Sequence, residues 1–247
     1  MQTRYLYCII ESKKNEEFGE IGIGGSKVYS VTYKELGAVV SNSLGENPIE
    51  VLSEGITHQK VVEEVMKNFT IIPMSFGQVP KSEEDVKGFL AEHYDELKEM
   101  FRKIEGNVEL GLKASWKMDM IIKELVNSND RIRILQKQIS SLPEEKAYML
   151  KIELGELVAQ ELKARGGAVA EEIFDSLKLL AVDAKMNKPL SDRMVLNTAF
   201  LVAKDKEGHF DEMVNEVEKK YPELILKYVV APPYNFVTVG EKYAVNR

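Results

Sequence analysis

The sequence predicts an α+β protein of two domains, and three stretches carry that expectation. Thr70-Ile71-Ile72 is a β-branched run between two strong helical patterns and favours a short buried strand. Asn107 to Trp116 alternates: Val108, Leu110, Leu112, Ala114 and Trp116 face one way, and Glu109, Gly111, Lys113 and Ser115 the other. That is the pattern of an antiparallel strand with one buried and one wet face. Lys117 to Lys188 is helical in pattern almost throughout. The boundary is expected just before Asn107, around Gly106. An N-terminal α+β domain over 1–105 would carry a small antiparallel sheet and two helices, with a second domain over 106–247.

A length of 247 residues suits one large or two ordinary domains, and 44% apolar with 30% charged residues is the balance of a globular protein. The formal charge of −7 argues against general nucleic-acid binding and against docking on an anionic membrane by charge. Cys8 is the only cysteine, so no intramolecular disulfide is possible. Its apolar setting reads as a small buried hydrophobe rather than a reactive thiol. Met1 to Tyr7 leads straight into a strand pattern, and no apolar run is long enough to insert in a membrane. A cytoplasmic location is the expectation.

In chain order, Tyr5 to Ile10 is an apolar run without alternation, as in a strand covered on both faces. Ile21 to Lys27 carries glycines followed by Ser26-Lys27, but not at phosphate-loop spacing, and a strand-like Val28 to Tyr33 follows instead of a helix. Without a helix N-terminus the stretch reads as a turn. Lys34 to Gly37 is a hairpin-length loop before the strand Ala38 to Ser41.

From Pro48 to Phe69 the pattern is helical, with Val51, Gly55, His58, Val62, Val65 and Phe69 on one face. Pro73 lacks an N–H and should end the following strand or lie on a sheet edge. Phe76-Gly77 reads as a bulky plug followed by a backbone position free of Cβ restrictions. Ser82 caps the next helix, and Val86, Leu90, His93, Leu97, Met100 and Ile104 form its stripe before Gly106 closes it. His58 and His93 thus both fall on core-facing stripes. One reading is a buried pair, with Glu54 one turn before His58, acting as base or metal ligand. The other is two separate imidazoles, each hydrogen-bonded at a helix–sheet seam. No third ligand is identifiable, and no metal or cofactor is expected.

In the second domain, Met118 to Val126 and Arg131 to Ile139 are helical, and Pro143 opens a third helix. Gly166-Gly167 should bend or break it, since two glycines cost about 2 kcal/mol against alanine. The pattern resumes to Asn187, which makes a helical insertion of about 118–188. Met194 to Ala203 is a strand, Lys204 to Gly208 a turn, Phe210 to Tyr221 a helix and Leu224 to Val230 a strand. Ala231 to Asn235 is a stiff extended turn before a last short strand, Phe236 to Val239. The order strand, helices, strand, helix, strand, strand fits a modified ferredoxin-like domain with an enlarged first crossover.

A set of blocks stands in a fixed order: Tyr5-Leu6-Tyr7, the glycine turn before Val28, Ala38 to Ser41, and His58 in its helix. Ile72-Pro73-Met74-Ser75-Phe76-Gly77, Glu109 to Lys113, Asn197 to Val202 and Pro232-Pro233-Tyr234-Asn235-Phe236 follow. In these blocks the chain resembles the gas vesicle accessory proteins of the F/L (GvpF/GvpL) family over nearly its whole length. The chain departs from the family pattern at Ser75, where arginine is usual, and at Ala231, where glycine-proline-tryptophan usually leads into the prolines.

The resemblance implies a two-domain α+β protein without enzymatic activity, catalytic residues or cofactor. It would assist gas vesicle formation by binding the small hydrophobic shell protein and other accessory proteins, in the cytoplasm and on vesicles. Tyr234 and Phe236, with the helical insertion, are the candidate partner contacts; both aromatics can equally lock the terminal turn into the core. The alternative function is a small-molecule- or metal-binding regulatory domain or enzyme built on His58 and His93.

Overall fold

The computed structural model describes residues 3–42, 51–237 and 239, with the backbone alone at 51 and 52. The chain forms two compact units. One takes the described residues up to Glu109 together with those from Val230 onward; the other is Leu110–Val229. The sequence reading ends the first domain at 105 and gives the C-terminal residues to the second. Here the terminal segment belongs with the first unit, because its side chains find their partners there.

The first unit is built on a five-stranded sheet of β1 (Arg4–Glu11), β2 (Glu17–Gly19), β3 (Val28–Tyr33), β4 (Leu36–Asn42) and β5 (Ile71–Pro73), in the order β2-β3-β4-β1-β5. β1 runs antiparallel to both β4 and β5, and a bulge shifts its register between Leu6 and Cys8. A strict two-residue period would send Tyr5 and Cys8 to opposite faces. The extra residue lets Tyr5, Tyr7, Cys8 and Ile10 join one buried cluster with Val61, Val62 and Val65. The loop expected over Lys34 to Gly37 is shorter: Leu36 and Gly37 join the ladder, leaving Lys34-Glu35 as the turn, with Lys34 at φ 52°. Proline is tolerated in β5 because that strand is a sheet edge.

Helix α1 (Val51–Met66) buries His58, Val61, Val62 and Val65. The start expected at Pro48 lies outside the described residues, as does the side chain of Val51. The single helix expected after Ser82 is two, α2 (Glu83–Glu92) and α3 (Tyr94–Ile104), joined at His93 with φ −101° and ψ 14°. Ser82 Oγ accepts the Asp85 N–H, so the predicted cap forms. Phe89 and Phe101 supply buried positions that the single-stripe pattern omitted.

The second unit contains most of β6 (Asn107–Trp116), then α4 (Met118–Ser128), α5 (Asp130–Ser141), α6 (Glu144–Lys178), β7 (Asp183–Met186), β8 (Met194–Ala203), α7 (Glu207–Lys220) and most of β9 (Leu224–Ala231). Its four strands are ordered β7-β8-β6-β9. The break expected at Gly166-Gly167 does not occur; α6 runs through both for 35 residues. Its face of Gly166, Val169, Ala170, Ile173 and Leu177 is buried, and packing outweighs the glycine cost. The helical pattern expected to reach Asn187 stops at Lys178, and β7 pairs instead with β8, Asp183 opposite Leu201 and Met186 opposite Thr198. The strand expected over Phe236 to Val239 is also absent from the described residues. Tyr234 to Phe236 form a turn in which the Tyr234 N–H donates to Pro232 O at 2.7 Å and the Phe236 N–H to Pro233 O at 3.1 Å.

Candidate functional site

The first unit gathers an unusual set of aromatic and polar side chains. β1 supplies Tyr5 and Tyr7, α1 supplies His58, and the turn after β5 supplies Phe76. The His58 ring lies 5.7 Å from Tyr5, 5.6 Å from Tyr7 and 5.8 Å from Phe76, centroid to centroid. Tyr7 is stacked on His58, while Tyr5 and Phe76 meet it edge-on.

Hydrogen bonds fix each ring. His58 Nε2 lies 3.1 Å from Met74 O, and Nδ1 lies 3.1 Å from Tyr5 Oη. A carbonyl only accepts, so Nε2 carries the proton and Nδ1 accepts from the Tyr5 hydroxyl. Tyr5 Oη in turn accepts the Gly77 N–H at 2.9 Å. Gly77 has φ +92°, the left-handed conformation that suits glycine and aims its N–H inward. Tyr7 Oη accepts the Ile23 N–H and meets Ser41 Oγ, both at 2.9 Å.

Burial governs the ionisation of the cluster. It pushes His58 down to about 4, partly opposed by the Met74 carbonyl. It pushes Tyr5, Tyr7 and Tyr234 up from the ordinary phenol value. Cys8 is fully buried and its thiol is likewise raised. At neutral pH the imidazole, phenols and thiol are therefore uncharged. An imidazole held this low is a weak base at pH 7, and Ser41 Oγ meets Tyr7 rather than His58. Among the described residues no group of three or more His, Cys, Asp or Glu is placed to hold a metal ion.

His58 and His93 keep different company. His93 sits at the α2–α3 joint, with Nδ1 2.9 Å from Glu96 Oε2 and its ring 4.8 Å from that of Phe89. His209 is exposed and faces Glu212. The buried-imidazole pair considered from sequence is not assembled; the structure gives the two separate, hydrogen-bonded histidines of the other reading.

The C-terminal turn meets the cluster. Tyr234 is 37% exposed, yet its hydroxyl lies 3.3 Å from His58 Nε2. Phe236 is 8% exposed, with Lys103 Nζ 5.6 Å from its ring centre. Between them, Asn235 donates its backbone N–H to Glu109 Oε2 at 3.0 Å and its carboxamide N–H to Glu109 Oε1 at 2.6 Å. Glu109 is 3% exposed, although strand alternation assigned it to a wet face. No local pattern marks it; its donors are 126 positions away. Tyr5 and Tyr7 were visible as two phenols in an otherwise aliphatic run, but their partners were not.

Comparison with known proteins agrees with this fold. The chain is 30% identical over 242 residues to gas vesicle protein F1 of Halobacterium salinarum, covering 96% of this chain and 94% of that protein. It is 28% identical to gas vesicle protein F of a Nostoc species, covering 96% and 98%. The crystal structure of gas vesicle protein GvpF from Anabaena sp. PCC7120 superposes with a TM-score of 0.79 at 26% identity, covering 97% of this chain and all of that one. GvpF from Microcystis aeruginosa, at 24% identity and a TM-score of 0.75, shares the fold. The model of the family described as gas vesicle synthesis protein GvpL/GvpF matches residues 3–238, and the chain belongs to that family.

Proposed function

We propose that this chain is a non-enzymatic accessory protein of gas vesicle formation, working in the cytoplasm and on vesicles by binding the small hydrophobic shell protein and other accessory proteins. The observation that carries the reading is the family match across residues 3–238. The uncharged, internally satisfied cluster around His58 supports it, since such a network holds a shape and offers no strong base. The strand order β7-β8-β6-β9 supports a ferredoxin-like second domain, enlarged by the α4–α6 helices.

The distribution of exposed apolar side chains also favours a protein partner. Sixteen large hydrophobic residues are exposed among the described residues, and all but Ile21, Ile56, Val230 and Tyr234 lie in Leu110–Val229. Scattered singly such residues mean little, but Tyr148, Met149 and Ile152 gather near the start of α6, at 65%, 70% and 40% exposure. A shell subunit with an apolar face needs a soluble surface to cover it before assembly.

The test is deletion of the gene in a gas-vesicle-forming host, with affinity capture of the tagged protein from the complemented strain. Loss of flotation and recovery of shell protein with the tag are expected. Normal vesicles in the deletion strain, with no shell protein captured, would overturn the reading.

A further inference from the structure

In the first unit, residues 232–237 make contacts of two kinds, some within the segment and some to groups distant in the chain. The segment is neither helix nor strand, and it makes its own turn: the N–H groups of Tyr234, Phe236 and Val237 donate to Pro232 O or Pro233 O at 2.7, 3.1 and 3.2 Å. Pro232 and Pro233 fix two further backbone dihedrals. Much of this shape is set by contacts within the segment, and local preorganisation of that kind lowers the ordering cost of binding.

Recognition then comes from buried polar groups aimed at the segment. Glu109, 3% exposed, grips Asn235 through both the backbone N–H and the carboxamide. His58, also 3% exposed, meets the Tyr234 hydroxyl. Phe236 and Val237 fill apolar space at 8% and 6% exposure. These contacts span 126 and 176 positions of sequence, so their geometry does not require both halves to come from one chain.

The geometry points to a peptide-binding site on the first unit, specific for a Pro-Pro-Tyr-Asn-Phe-Val segment, filled by the chain's own residues 232–237 and able to take the same segment from a second copy. The buried Glu109 carboxylate selects for paired N–H donors; aspartate at the asparagine position would set charge against charge. The tether gives the chain's own segment a high effective concentration, so an added peptide competes well only when that segment is loosened.

The experiment uses the full chain carrying Phe236→Ala, which weakens its own segment and leaves Glu109 and His58 in place. A fluorescent Pro-Pro-Tyr-Asn-Phe-Val peptide is titrated and followed by anisotropy. The expected result is saturable binding at least tenfold tighter than to the unmodified protein, with a further loss of tenfold or more when the peptide carries aspartate for asparagine. A variant with native circular dichroism and cooperative melting that binds no better than the unmodified protein, or binds the aspartate peptide equally well, overturns the site. If Phe236→Ala does not fold, Tyr234→Phe replaces it with the same readings. For the second copy, ¹⁵N-labelled full chain carrying Phe236→Ala, whose own segment is loosened, is mixed with an excess of ¹⁴N unmodified full chain and crosslinked. Mixed-isotope links between the segment and the receptor are expected; links within one isotope only overturn exchange between copies.

Discussion

Glu109 and Asn235 form a two-point contact, a buried carboxylate receiving a backbone N–H at 3.0 Å and a carboxamide N–H at 2.6 Å from one residue. Asn235→Ala keeps the first donor and removes the second, and should cost about 1–3 kcal/mol in denaturant unfolding. Asn235→Asp should cost more at pH 7, because it sets two carboxylates together. That excess should shrink as the pH falls and one of the pair takes up a proton. A deficit that grows on acidification would contradict the contact.

His58 makes stability depend on pH in a definite direction. Its folded value is about 4 against the usual 6.5, so between those values the unfolded chain binds the proton and the folded chain does not. Stability is unaffected by this group above about pH 6.5 and is lost as the pH falls toward 4, by about 3 kcal/mol in all. Comparing His58→Gln with the unmodified protein by urea unfolding at pH 7 and pH 4.5 isolates the contribution. The substituted protein should be less stable at pH 7 and should lose less on acidification.

Three glycines separate backbone need from backbone cost. A Cβ built at Gly155 or Gly167 has no neighbour within 4 Å, and both lie inside α6. Alanine at either should raise stability by up to about 1 kcal/mol, seen as a higher melting temperature. Gly77 also has open space, but at φ +92° a side chain is strained. Gly77→Ala should therefore destabilise by about 1 kcal/mol or more. It should also weaken the bond to the Tyr5 hydroxyl, visible as faster amide exchange around Gly77.

Exposed apolar side chains on α6 give a prediction specific to binding. Met149→Lys with Ile152→Lys should leave the melting temperature within about 2 °C, because both sites are exposed and such surface changes are usually small. Recovery of shell protein in affinity capture should fall severalfold. Unchanged capture would rule out this face of α6 as the docking surface of the proposed function.

Cys8 should resist thiol reagents in the folded protein, as a fully buried thiol with its pKa pushed up. Modification should track the unfolding transition across a denaturant series. Rapid labelling of folded protein would show that β1 opens locally.

Legibility in the sequence followed how local the physics was. β6 and β8 occur over the residues expected, Asn107–Trp116 and Met194–Ala203, because alternation marks the first, and the second is apolar on both sides of Asn197-Thr198 and rich in strand-favouring side chains. Ser82 was readable as a cap because its acceptor and the donor lie three residues apart. Where tertiary packing decides, the reading diverged. Gly166 and Gly167 predict a break that the buried face of α6 prevents, and β7 forms only because β8 offers a ladder edge. At the candidate site, His58 was visible as a core-facing histidine, whereas its partners Tyr5, Met74 and Tyr234 were not. Glu109 sat on the face that period-two logic sends to solvent, and its burial depends on a turn distant in the chain.

The split of the first unit has a bearing on biosynthesis. Leu110–Val229 is a continuous stretch, whereas the first unit takes described residues from both before and after it. On the ribosome, Tyr5, His58 and Glu109 emerge early, but Tyr234 and Asn235 arrive only after the whole intervening stretch has been translated. The nascent N-terminal portion gains the two hydrogen bonds from Asn235 to Glu109 only at the end of synthesis, so completion of the first unit follows translation of the second.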